Sequence, residues 1–175
     1  LHCPIDGPAH QHQQPVGQAH DGVDEALDLV FGDAFHDISI PPHLVTREFH
    51  KEIAKRLGTD GVYALNVVDA GATPLFLFSL IKTLKKDFSS VEAWVERSEI
   101  GNPGRVTFIV IASAQPTPTA ALKSLRGPER SWKRWPSENL AQRIDETAPP
   151  TLSDDYAPVN RLMSRMLLQL DEYNR

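Results

Sequence analysis

Leu27-Asp28-Leu29-Val30-Phe31-Gly32-Asp33 is the stretch on which the fold turns. It is a short apolar run that closes on a glycine and a carboxylate. A strand buried in a parallel sheet reads this way, apolar on both faces and polar where it leaves the sheet. Outward from it, Ala34 to Val45 is a loop containing Pro41-Pro42. Thr46 is placed to cap a helix over Arg47–Leu57, with Phe49, Ile53 and Leu57 as the buried stripe and Gly58 as its C-terminal stop. Val62–Val68 (VYALNVV) is a second strand, apolar except for Asn66, and is expected at the centre of a sheet. Thr73 and Pro74 then open a helix reaching about Asp87, whose inner face is Leu77, Leu80, Ile81 and Leu84. Val91–Glu96 and Arg105–Ser113 are two further strands. The turn-rich segment between them, Ile100-Gly101-Asn102-Pro103-Gly104, is too short for a crossover helix, so the pair is antiparallel.

The order strand, helix, strand, helix, strand, strand predicts an α/β sheet with a terminal antiparallel hairpin and flanking helices. Residues 115–175 form an irregular and helical tail on the domain of residues 25–114. Helices are expected near Ala120–Leu125, over Ser137–Glu146, and from about Val159 to Tyr173 on a stripe of Leu162, Met166, Leu170 and Tyr173. Trp132 and Trp135 stand among Arg130, Lys133 and Arg134. Such a cluster packs its rings on the domain and leaves its charges wet more often than it stacks on bases.

Composition narrows the function classes. The 175 residues are 41% hydrophobic and 23% charged, which excludes a wholly disordered chain. The formal charge of −5 argues against nucleic acid as a partner. A single cysteine, Cys3, excludes an internal disulfide framework. No apolar run is long enough to span a membrane, and no signal peptide is visible, so a cytoplasmic location is the default expectation. Leu1 in place of an initiating Met fits a fragment or a processed product. Residues 1–24, rich in His, Gln, Gly and Pro, read as a disordered or unrelated arm. His10, His12 and Cys3 offer metal-ligand chemistry without the spacing of a zinc module.

In an open α/β sheet, ligands sit at the carboxyl ends of the strands. Asp33 ends the first strand. Asn66 and Asp69 stand toward the end of the second. Asp154, Asp155 and Tyr156 return through the tail. Several carboxylates around one crevice suit a protonated amine, and a carboxylate there takes a proton to make the amine a nucleophile. For Asp33 a turn or helix cap is an equal alternative, and for Asp154 and Asp155 capping is the favoured one. There is no G-x-G-x-x-G, no P-loop and no G-x-S-x-G.

Asp33-Ala34-Phe35, Ile40-Pro41-Pro42-His43-Leu44-Val45-Thr46-Arg47-Glu48-Phe49 and Asp60-Gly61-Val62, with the tail Leu152-Ser153-Asp154-Asp155-Tyr156-Ala157-Pro158-Val159, resemble the polyamine aminopropyltransferase family, of which spermidine synthase is the type. The likeness covers Leu27–Ser113 and Leu152–Leu162 and is nearest to the bacterial spermidine-synthase-like branch, whose members are often fused to transporter-like membrane segments. It implies a partial Rossmann-like sheet of the class I methyltransferase type. It implies transfer of an aminopropyl group from decarboxylated S-adenosylmethionine, a co-substrate and not a permanently bound cofactor, to putrescine or a similar amine. On that resemblance Asp33 is the catalytic base and Ala34 lies against the co-substrate. Asp37, Asn66, Asp154, Asp155 and Tyr156 hold the amine. The family's second aspartate stands three residues after the first. His36 occupies that place here, and Asp37 follows it. The family's nucleoside-binding loops precede the position of Leu27, so weak or absent turnover is expected from this chain alone. A methyltransferase on the same sheet, and a non-catalytic assembly module pairing through the apolar Leu27–Phe31 edge, a homodimer in its simplest form, stay open beside this reading.

Overall fold

Thr46 opens the first helix as its residue type demands. Its side chain accepts the backbone N–H of Phe49 at 3.3 Å, and α1 (Arg47–Arg56) follows, with Glu48 in the first turn and Lys55 and Arg56 in the last. The computed structural model describes residues 26–33 and 40–166. Before α1 lies strand β1 (Leu27–Gly32), and directly after it β2 (Leu57–Ala70). No loop separates α1 from β2. Leu57, expected as the last helical residue, is already extended, and Gly58 lies in the strand instead of capping the helix. The early start of β2 is absorbed by an irregularity. Leu27 pairs with Leu57, but Leu29 pairs with Val62. Gly61 makes this possible, because a Cβ there would lie 2.7 Å from the Leu27 carbonyl oxygen.

The order continues with α2 (Leu75–Leu84), β3 (Ser90–Glu96), β4 (Arg105–Ser113), β5 (Ala121–Lys123), β6 (Ser131–Arg134), α3 (Ser137–Thr147) and α4 (Val159–Leu162). The six strands form one sheet in the order β1-β2-β4-β3-β6-β5. β1 is parallel to β2, whereas β4 runs antiparallel to both β2 and β3. This is the mixed α/β sheet with an antiparallel hairpin that the strand pattern predicted, and the partial Rossmann-like arrangement that the family resemblance implied. The helix expected near Ala120–Leu125 is instead the β5–β6 hairpin, which extends the sheet along β3 through Trp94 and Arg134. Gly127 at φ 80° supplies the turn between its strands.

The core lies on one side of the sheet. Tyr63, Leu65 and Val67 of β2 alternate toward it, as do Val106, Phe108 and Val110 of β4. α2 is buried all round. The expected inner face of Leu77, Leu80, Ile81 and Leu84 is joined by Phe76 and Phe78, all at most 1% exposed. The other side of the sheet is thinly covered. Trp94 is buried there beneath Arg134, but Leu29 and Phe31 of β1 are 62% and 61% exposed. The burial expected for β1 on both faces is not met, because among the described residues nothing packs on its outer face. α4 stops at Leu162, with Met163 and Met166 buried beyond it. The proposed continuation through Leu170 and Tyr173 lies outside the described residues, as does the arm of residues 1–24 with its candidate metal ligands. Among the described residues no helix is long and apolar enough to cross a membrane.

Candidate active site at the carboxyl end of β1

Gly32, the last residue of β1, pairs with Leu65 of β2. β1 stops there while β2 runs on to Ala70. The next position on each chain is Asp33 and Asn66, so the register itself sets the two side by side. The Asn66 side-chain amide donates to Asp33 Oδ1 at 3.0 Å. Asp33 is exposed, so its second carboxylate oxygen faces solvent and has no protein partner among the described residues. A carboxylate in this state is oriented by one donor and open to another, the condition for receiving an ammonium group or taking a proton from it.

Beside the pair, between α1 and the β1–β2 ladder, lies a cavity of about 110 Å³. Gly32 and Asn66 stand at its edge, and its walls are mainly apolar, among them Phe49, Leu65 and Phe76. Gly32 keeps it open, since a Cβ there would stand 3.2 Å from the Tyr63 hydroxyl. Tyr63 is 2% exposed, and burial holds its phenol above the usual range. Asp33 itself does not line the cavity, and by strand alternation the Asn66 side chain stands on the face opposite Tyr63, Leu65 and Val67, so the carboxylate–amide pair and the slot are neighbours across β2 and not one pocket. The slot was not legible in the sequence beforehand, although a glycine directly before the strand-terminal aspartate was its one visible sign.

Other expected site residues lie elsewhere. Asp154, Asp155 and Tyr156 occupy an exposed turn closed by Ser153–Tyr156 backbone bonds of 3.1 and 3.0 Å. That turn is fastened to the start of α1, where Arg47 N–H donates to the Leu152 carbonyl at 2.9 Å and Asp154 N–H to Glu48 Oε2 at 3.1 Å. Arg161 donates to the Tyr156 hydroxyl and lies over its ring. None of the three lines the cavity beside Asp33. Asp69 is turned inward, 1% exposed, and accepts the N–H groups of Ala70 at 2.8 Å and Leu77 at 3.0 Å. It supplies the cap of α2 that Thr73 was expected to supply, as Pro74 sits at the cap position without a side-chain bond. Ala34 and Asp37 lie outside the described residues.

Strand order, with β4 antiparallel between β2 and β3 and helices flanking the sheet, makes this a mixed α/β, partial Rossmann-like protein. Among solved structures the chain is similar to a probable spermidine synthase from Corynebacterium glutamicum ATCC 13032, with a TM-score of 0.57 and 15% sequence identity over 78% of this chain and 52% of that one. The chain therefore spans about half the length of that structure, and the likeness is one of fold. No protein-family model matches the sequence, and none of the curated proteins matches it.

Proposed function

We propose that the chain carries the amine-accepting part of a spermidine-synthase-like aminopropyltransferase. The observation that carries this reading is the exposed Asp33 carboxylate at the carboxyl end of β1, oriented by the Asn66 amide at 3.0 Å. The fold likeness to a probable spermidine synthase supports it.

The chemistry asks little of the protein beyond placement. An ammonium group of a diamine docks on Asp33, which takes one of its protons. The freed nitrogen lone pair attacks the aminopropyl carbon of decarboxylated S-adenosylmethionine. A carbon–nitrogen bond forms, the carbon–sulfur bond breaks, and its electron pair stays on sulfur as a neutral thioether. The sulfonium is already an activated leaving group, so orientation and one base suffice. Asn66 fixes the carboxylate's rotamer.

The test is putrescine titration of the isotope-labelled chain, read at the Asn66 side-chain amide by NMR. Binding moves that resonance, and Asp33→Asn weakens the response roughly tenfold or more, as loss of a charge-assisted contact requires. An Asn66 resonance indifferent to putrescine, or a response unchanged in Asp33→Asn, overturns the proposal. Aminopropyl transfer from decarboxylated S-adenosylmethionine, assayed with the same variant, tests the chemical step.

A further inference from the structure

On the far half of the sheet lies a larger cavity, about 260 Å³, that shares no lining residue with the slot beside Asp33. Strand register builds its floor. Val95 pairs with Phe108 on one side and with Lys133 on the other, so the three side chains lie in a row across β4, β3 and β6. Trp135, just beyond β6, stacks on Phe108 with ring centroids 6.1 Å apart and completes an apolar base. The rim is the Ile100–Gly104 loop, and it is pinned. Gly71 N–H donates to the Gly104 carbonyl at 2.7 Å, Asn102 Oδ1 accepts from Gly104 N–H at 2.9 Å, and Glu99 accepts from the Asn102 amide at 2.6 Å. A Cβ on Gly71 would lie 2.0 Å from the Asn102 carbonyl oxygen, so only glycine admits the loop this close. The cavity is formed before any ligand arrives.

Its charges do not cancel. Arg134 is already engaged by Glu92 at 2.6 Å and by the Thr117 carbonyl. Glu99 is oriented by the neutral Asn102 amide and keeps its negative charge. Two cations remain. Lys133 is exposed and has no carboxylate partner among the described residues. Arg143 lies across the rings of Phe78 and Trp135 at 5.5 and 5.6 Å and gives one hydrogen bond, to the Ala72 carbonyl at 2.5 Å. A guanidinium has five N–H donors, and the rest are unclaimed by the described residues. In a chain of formal charge −5, an apolar cavity lined by two free cations against one carboxylate, Glu99, is a local reversal.

We propose that this cavity is a second binding site, separate from the Asp33 site, for a small organic anion: a ring-sized apolar body on Val95, Phe108 and Trp135, with its carboxylate or sulfonate received by Arg143 and Lys133. The site binds the opposite charge from the amine site and has its own recognition groups, so the two readings stand or fall separately.

The probe is 2-naphthoate, titrated into the full isotope-labelled chain, with 2-naphthylmethylamine as its charge-reversed twin. The chain has three tryptophans, and their indole N–H signals are assigned by single Trp→Phe substitution. Naphthoate is expected to move the Trp135 signal, and the amine to bind roughly tenfold more weakly. Lys133→Glu, at an exposed position, is expected to weaken naphthoate binding about fivefold with an unchanged melting temperature. Arg143→Gln is expected to weaken it roughly tenfold or more. Since Arg143 also packs on two rings, Lys133→Glu keeps the test decisive where Arg143→Gln lowers stability. Equal affinity for the two probes, a Trp135 signal that stays in place, or a Lys133→Glu variant that binds like the parent overturns the proposal.

Discussion

His50 stands fully buried between the rings of Phe49 and Tyr63, and neither ring nitrogen has a hydrogen-bond partner among the described residues. Burial pushes its pKa down to about 4. Asp69, capping α2, is displaced the other way. Burial raises its carboxyl to about 6 against the pull of the helix amides that bond it. The two act oppositely on stability. For His50 the unfolded chain takes up its proton first, so its contribution is intact above pH 6.5 and is lost as pH falls toward 4. For Asp69 the folded chain holds its proton longer, so its contribution is full below pH 3.8 and is lost as pH rises through 6. Between pH 4 and 6 the two therefore pull stability in opposite directions. Urea unfolding across that window separates them by single substitution. His50→Leu exposes the Asp69 trend, with stability falling as pH rises. Asp69→Asn exposes the His50 trend, with stability rising. Slopes of the same sign in the two variants contradict this assignment. At the residue scale the sequence showed little of this. The α1 stripe was read from Phe49, Ile53 and Leu57, a four-residue spacing, while the deepest side chain on the helix is the polar residue next to it. A histidine does not announce burial, because its ring passes as either polar or apolar.

Elements were more legible than their ends. Periodicity placed β1, α1, α2, β3, β4 and α3 near their observed positions, because one buried side of a helix or strand writes itself into spacing. The ends escaped wherever a distant group does the capping. Asp69 replaces Thr73 at α2, and pairing with Leu27 draws Leu57 out of α1 and into β2. The β5–β6 hairpin escaped because strands of three and four residues carry too few alternations to be read. The Asp33–Asn66 contact was half visible. Both residues were candidates by their places on apolar strands, but that they touch depends on the β1–β2 register, which no single strand encodes. α3 ends on Ala148 at φ 42°, a left-handed residue with an unneeded Cβ. Ala148→Gly relieves that strain at an exposed site and is expected to raise stability by about 0.5–1 kcal/mol, the left-handed penalty less the entropy glycine adds to the unfolded chain. Chemical denaturation measures it. A loss of stability on this substitution would mean that the turn after α3 is not strained.

Across the whole molecule the sheet has two unlike sides. Helices cover one. On the other, Leu29 and Phe31 stand mostly in solvent next to Val62 and Ala64, their register partners, and beside these lie Ile109 and Ile111 of β4, all four only half-buried. Among the described residues β1 pairs on one edge alone, with β2. A largely apolar strand at a sheet edge invites another strand, and within Leu27–Gly32 only Asp28 carries a charge against it. The chain is therefore expected to self-associate, with mean mass by light scattering rising with concentration. Leu29→Lys with Phe31→Lys places two like charges on that face and is expected to return the chain to a monomer. Since both side chains are more than half exposed, the unfolding free energy should change by no more than about 0.5 kcal/mol per site. Phe31 also lines the slot and stands two residues before Asp33, so Leu29→Lys alone is the variant carried into the putrescine titration. A putrescine response that survives in Leu29→Lys, at a concentration where light scattering finds that variant monomeric, assigns the amine site to a single chain. A parent chain that is monomeric at every concentration, or a double variant that still associates, shows that this face does not recruit a second copy.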